Sequence, residues 1–186
     1  MRDSQPELYS KRLVLEPLRE SHSGPLYESL LDVDLYRFLP QDPPVSEQTV
    51  RDRYLRLEAR QSPDGSEVWL NWAMRSPEVA GYVGTLEATV GPDRTAYVAY
   101  MVFARHQRMG FATEGLRRIL RYLVAVYAVQ TIAALIDTRN RASIALVQRL
   151  GFVPVARIND ADFFKGTPSD EYRYELSGKT LFASLL

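Results

Sequence analysis

Gln107-Arg108-Met109-Gly110-Phe111-Ala112 is the stretch on which the reading of this chain turns. A strand-like run, residues 95–103, precedes it, and a long amphipathic segment, residues 112–127, follows. Gly110 has no side chain and Ala112 only a methyl group, so a large anion can approach consecutive backbone N–H groups. The first N–H groups of a helix have no partner within it, and the helix dipole adds partial positive charge at the same end. Strand, small-residue turn and helix together make an anion cradle. The plainer alternative is a tight strand-to-helix turn in which Gly110 serves only its backbone angles.

Two other nucleotide cradles are absent. The chain has no Gly-x-x-x-x-Gly-Lys-Ser/Thr run and no Gly-x-Gly-x-x-Gly after an early strand. The loop also carries no Lys to reach a terminal phosphate. It suits a diphosphate held mainly by backbone, as in coenzyme A.

The 186 residues are enough for one domain with a real core. Hydrophobic residues make up 46% and charged residues 25%, which is ordinary for a globular protein. Lys plus Arg equals Asp plus Glu at 23 each, so the balance argues against a nucleic-acid binder held by charge. Cysteine is absent, which removes disulfides, thiolate metal sites and a cysteine nucleophile. With only His22 and His106, no histidine metal cluster is expected either. The N-terminus is polar and the longest apolar stretch, near residues 123–129, is far short of a membrane span. A cytoplasmic protein is expected, with no membrane or nucleic-acid partner, as a monomer or homodimer.

Along the chain, residues 11–18 alternate as a first strand that Pro17 ends. Helices are expected over residues 25–31, briefly over 34–39, and from an N-cap at Ser46 to a frayed end near Ser62. Residues 67–74, 79–90 and 94–103 read as an antiparallel meander. Leu116, Ile119, Leu120, Leu123 and Tyr127 repeat at helical spacing behind the cradle, and Gly115 in their midst permits close packing. Residues 131–136 form a buried strand, and Asn140 or Thr138 caps a helix that Gly151 ends. Residues 152–156 and 170–176 close the sheet as a final pair. The result is an α+β domain over residues 9–178 with one mixed, mostly antiparallel sheet flanked by helices; residues 1–8 and 179–186 read as tails.

In this order of elements, and in the run of residues 101–114, the chain resembles the GCN5-related N-acetyltransferases (GNAT). Gln107, Gly110 and Ala112 meet that family's Gln/Arg-x-x-Gly-x-Gly/Ala motif. The chain is similar in particular to the branch of the ribosomal-protein-alanine acetyltransferases. Lys11-Arg12-Leu13-Val14-Leu15, residues 81–84, Gly110-Phe111-Ala112-Thr113-Glu114, Asn140-Arg141-Ala142-Ser143, Leu150-Gly151-Phe152, and Phe164-Lys165-Gly166 before Asp170-Glu171-Tyr172 carry the likeness. The resemblance implies the GNAT fold, with a splay between the two central strands, and acetyl-CoA as co-substrate without a metal. It places Met101, Val102 and Phe103 against pantetheine and Gln107, Arg108, Met109, Gly110, Phe111, Ala112 and Thr113 around the pyrophosphate. It further implies that Asn140 bonds pantetheine and that Ser143 lies near the thioester sulfur.

The activity so implied is acyl transfer to a primary amine, a small molecule or a protein N-terminus, by direct attack. The alternative is a module that binds acyl-CoA without turnover; a longer acyl donor is a third reading. A thioester is already activated, so the enzyme must position it, polarise its carbonyl and handle one proton. Ser143 is the candidate acid, against a plain role in the first helical turn. Many relatives carry a Glu where Tyr97 stands here; Glu87 on the neighbouring strand is the replacement base, against a surface residue or a water chain. Trp69, Trp72, Tyr82 and Tyr100 add aromatic surface, mostly core or sheet face. Tyr36, Phe38 and Trp72 are assigned to the acceptor pocket, beside the Pro-rich loop at Pro40, Pro43 and Pro44. His106 is expected at the surface.

Overall fold

The computed structural model describes residues 5–178. Eight strands form one sheet in the order β1-β2-β3-β4-β5-β6-β8-β7. They are β1 (Leu8–Tyr9), β2 (Val14–Pro17), β3 (Val68–Arg75), β4 (Tyr82–Val90), β5 (Thr95–Val102), β6 (Thr131–Asp137), β7 (Val153–Phe164) and β8 (Thr167–Ser177). Four helices, α1 (Ser23–Leu30), α2 (Glu47–Leu57), α3 (Phe111–Tyr127) and α4 (Arg141–Arg149), cover it. Every neighbouring pair is antiparallel except β5 and β6.

Alternation along the strands sorts side chains into two cores. Trp72 and Met74 of β3 and Leu86 of β4 face a large cluster closed by Leu116, Ile119, Leu120 and Leu123 of α3 and Val147 of α4. Ala73, between Trp72 and Met74, faces the other way, into a smaller cluster with Leu26 and Leu30 of α1 and Val50 and Tyr54 of α2. Gly115 lets α3 lie close: a Cβ there would sit 2.9 Å from Leu86 Cδ1 and 3.0 Å from Met74 Sδ. Ser46 caps α2 as expected, its hydroxyl accepting from Thr49 N–H (3.2 Å).

The parallel pair sets up the site. β5 and β6 are in register over Thr95↔Thr131, Ala96↔Ile132 and Tyr97↔Ala133, and there the pairing stops. Beyond Tyr97 the two strands part, which is the splay that the family likeness implied.

Two differences from the sequence reading have clear causes. The chain enters the sheet before residue 9: Leu8 is buried against the core, and Gln5, also buried, donates to Asn71 O (2.9 Å). Residues 1–4 and 179–186, the remainder of the two expected tails, lie outside the described residues. The last two strands are far longer than expected, meeting at Phe164↔Thr167. The turn between them, Lys165 (φ 51°) and Gly166 (φ 78°), has the two positive-φ residues that hairpins favour. Asn159, Asp160 and Asp162 interrupt the apolar pattern and hide this hairpin, because β7 is exposed along all but its last residue and has no buried face to reveal.

Candidate active site

The cradle is built by the chain leaving β5. A 3₁₀ turn (Ala104–His106) brings it to Gly110, whose φ of 84° lies in the left-handed region that costs a side-chain-bearing residue most. α3 begins at Phe111, and Glu114 N–H is bonded back to Gly110 O (3.1 Å). The N–H groups of Phe111, Ala112 and Thr113 therefore precede the helix's own ladder. Arg12 braces the turn from behind: it lies over the Phe111 ring (4.8 Å), donates to Met109 O (3.1 Å) and pairs with Glu114 (2.8 Å). Burial alone would raise the Glu114 carboxyl; bonds from the Arg12 backbone, Ser10 and the Arg12 guanidinium outweigh it and hold the group below its ordinary value.

The free edge of β5 leads away from this turn. Phe103 N–H is bonded to Val83 O (3.0 Å), on the β4 side. Main-chain groups alternate sides along a strand, so those of Val98, Tyr100 and Val102 face the gap. Gln107 ties strand to turn, its Nε2 donating to Val102 O (3.1 Å).

A cleft of about 590 Å³ runs from the cradle to the first turn of α4. It brings together most of the residues proposed from sequence: Met101, Val102, Gln107, Arg108, Gly110, Phe111, Ala112, Thr113, Asn140, Ser143 and Phe38. Asn140 is the N-cap of α4, its Oδ1 accepting from Ser143 N–H (3.1 Å). The Ser143 hydroxyl is 2.6 Å from the Tyr100 hydroxyl. The wall opposite is Asp34, Leu35, Phe38 and Leu39. That wall is tied down by the β7–β8 turn, where Lys165 donates to Leu39 O (2.8 Å) and Gln41 O (3.1 Å).

Other expected residues lie elsewhere. Trp72 is fully buried under α3, edge-on to Tyr122 at 6.0 Å; its even-numbered place on β3 points it into the large core, away from any acceptor. Phe103 is buried in the smaller core and Met109 is 44% exposed outside the cleft. Tyr36 is buried and does not line the cleft, and burial raises its phenol despite nearby Arg53. Glu87 does not line the cleft; its side chain is 40% exposed and pairs with Arg53 of α2 (3.1 Å). It shares with Tyr97 the sheet face turned away from α3, since Glu87 stands opposite Ala99 and Thr89 opposite Tyr97. His106, expected at the surface, is buried beneath the cradle, edge-on to Phe111 (6.4 Å); its Nε2 accepts from Arg105 Nε (3.0 Å), and burial, then Arg105, lowers its pKa.

The residues present fit a coenzyme A diphosphate. The turn presents N–H groups with no side-chain cap, Gly110 holds a left-handed conformation that favours glycine, and Arg108 lines the same cleft. Sequence reasoning did not single out Leu35, Arg149 or the role of Tyr100. Tyr100 carried only the weak signal of being an aromatic next to Met101.

An α+β sheet whose central parallel strands part beside a glycine-turned helix start is the arrangement that the family likeness implied. The family model described as acetyltransferase (GNAT) domain matches residues 12–153. YoaA, an uncharacterized N-acetyltransferase of Bacillus subtilis, is 22% identical over 173 residues, 92% of this chain and 96% of that protein. Among solved structures, RimL, a ribosomal alpha-N-protein acetyltransferase in complex with coenzyme A, has a TM-score of 0.83 at 18% identity, covering 92% of this chain and 98% of that one. Spermidine N-acetyltransferase from Vibrio cholerae, in complex with CoA and spermine, has a TM-score of 0.79 at 17% identity, covering 93% and 99%. The chain belongs to the GNAT family of N-acetyltransferases. Among the described residues, no helix is long and apolar enough to cross a membrane.

Proposed function

We propose that this chain moves an acetyl group from acetyl-CoA to a primary amine, by direct attack within a ternary complex. The observation that carries this reading is the continuous cleft from the Gly110 turn, along the free edge of β5, to Ser143. Both acceptor classes named in the structural relatives, a protein N-terminus and a polyamine, remain in view, since a chain with 23 acidic and 23 basic residues favours neither by charge.

When bound, acetyl-CoA supplies a thioester already activated toward a neutral amine. The N–H groups of Phe111, Ala112 and Thr113, with Arg108, hold the diphosphate. The main chain of Tyr100 and Val102 orients the pantetheine arm as an added strand would. An N–H on that edge polarises the thioester carbonyl in the narrow gap. Ser143 donates a hydrogen bond to the departing sulfur, which leaves as a thiolate while the proton stays on Oγ, and Asn140 fixes the turn that carries it. Glu87 takes the amine proton through water, for which its place on the Tyr97 face and its solvent access are the support.

A binding module without turnover is the second reading, favoured by Tyr97 in place of an acid and by the Arg53 that already engages Glu87. Release of free thiol from acetyl-CoA across a panel of amines separates the two. Amine-dependent release supports transfer. Tight CoA binding by calorimetry with no release for any amine supports the module, and no CoA binding at all removes both.

A further inference from the structure

Tyr100 lies on β5 three residues past the last pairing with β6, where the strands have parted. Its side chain crosses the opening and meets the first turn of α4. The phenol oxygen is 2.6 Å from Ser143 Oγ and 3.3 Å from the Ser143 carbonyl oxygen. Each hydroxyl has one proton to give and two lone pairs to receive one. The phenol is the better donor of the two, because its ring shares the charge that donation builds on oxygen. Burial pushes its pKa up to about 12, so the group stays neutral and keeps its proton over any working pH. Ser143 Oγ has no other hydrogen bond among the described residues. Its backbone N–H is already committed to Asn140.

We infer that Tyr100 is a positioning residue for Ser143: its phenol fills one lone pair of Oγ and so directs the Ser143 proton into the cleft. This rests on the reading of Ser143 as the donor to the departing sulfur. Left to itself, a serine in the first turn of a helix bonds local backbone, and its proton is lost to the cleft. Tyr100 transfers no proton; it turns a rotating hydroxyl into one with a fixed direction, and a donor already aimed costs no reorganisation during the reaction.

The test is a double-mutant cycle on kcat, with CoA affinity measured beside it. Tyr100→Phe keeps the ring and removes the hydroxyl. It is expected to lower kcat roughly tenfold, by no more than Ser143→Ala does, with CoA affinity changed less than about twofold. In a Ser143→Ala background, Tyr100→Phe is expected to add less than about twofold. The full effect persisting there would overturn the inference, since Tyr100 would then act independently of Ser143. So would an unchanged kcat in Tyr100→Phe while Ser143→Ala is slow. An unchanged kcat in Ser143→Ala sinks the reading of Ser143 itself, and the inference with it. Should Tyr100→Phe not fold, fluorotyrosine at position 100 reads the same bond. Its more acidic phenol should pull the alkaline limb of the kcat profile to lower pH when Ser143 is present and not in Ser143→Ala; a limb that does not move with Ser143 present overturns the inference.

Discussion

The two faces of the sheet are built for recognition in opposite ways. On the α3 side, the Gly110 turn offers main-chain N–H groups, and the useful property of its residues is having little side chain. On the α1 and α2 side, Glu87, Arg53 and the Tyr97 ring stand out from the strands and helix, and everything depends on what those side chains bond. A backbone site tolerates much variation but not a Cβ in the wrong place. A side-chain site tolerates backbone neighbours but not an exchange of functional groups. On the proposed reading, the first of these faces would take the cofactor and the second would meet the acceptor.

The sharpest way to break this contrast is at Gly110. Gly110→Glu demands a left-handed conformation costing about 1–2 kcal/mol of stability, and its Cβ would sit 3.3 Å from Arg12 Nη2, so it disturbs the brace that holds the turn and adds a negative charge beside it. CoA affinity should fall at least about 100-fold, given that each hydrogen bond to a charged group contributes about 1.5–3 kcal/mol. Calorimetry on a variant shown to be folded by circular dichroism would test it, and unchanged affinity removes the cradle from the account.

Ser143→Ala should follow, lowering kcat about ten- to a thousandfold while CoA affinity holds, as for a hydrogen-bond donor to charge developing in the transition state. A steady-state comparison at saturating acetyl-CoA reads this; an altered melting temperature with equal kcat would return Ser143 to a purely helical role.

Gly115→Ala asks whether the α3 side is as tightly set as its geometry says. Alanine favours helix by about 1 kcal/mol. The added methyl must nevertheless displace Leu86 Cδ1 and Met74 Sδ, both in fully buried side chains. Overpacking of this kind costs about 1–3 kcal/mol, so a net loss near 1 kcal/mol, or roughly 2–4 °C in melting temperature, is expected for a chain of this size. A stabilised variant would show that α3 can lift from the sheet.

Acid should weaken the brace behind the cradle. The Glu114 carboxyl is held below its ordinary value in the folded chain. Its contribution is therefore complete above the unfolded carboxylate value, about 4.3, and is lost as pH falls through the lower folded value. The loss should be smaller than that of Gly115→Ala, and Glu114→Gln should flatten the acid end of the stability profile; an identical profile in the variant would make the brace irrelevant.

The smallest effect is expected at Glu87. An exposed carboxylate already engaged by Arg53 is readily replaced by water, so Glu87→Gln should slow turnover less than about tenfold and flatten the acidic limb of kcat/KM, with CoA affinity kept. Tyr97→Phe is the paired control. Full activity with an unchanged profile leaves the proton to water alone.

The cradle was legible because its signal is local. Gly110 and Ala112 sit between a strand and a helix that their own periodicities announce, and a helix start exposes N–H groups wherever it occurs. The N-caps at Ser46 and Asn140 were legible for the same reason. Trp72 was misplaced because residue type says nothing about which sheet face a strand position takes. The register Trp72↔Leu86 puts it under α3, and a shift of one residue would have turned it outward. The pairing of Glu87 was not legible, since Arg53 lies 34 residues away and meets it only once α2 has packed on the sheet.

What the sequence determined by itself was the order of elements, the glycine turn that opens α3 and the family to which they belong, each carried by residues close together in the chain. What only the tertiary structure decided was which side chains share the cleft. Lys165 bonds Leu39 across a separation of 126 residues, and Tyr100 meets Ser143 across 43. Neither contact has a local cause. Both exist because β5 and β6 separate after Tyr97 and because the β7–β8 hairpin is long enough to reach the Pro-rich loop, and those distances are set by the packing of the whole sheet.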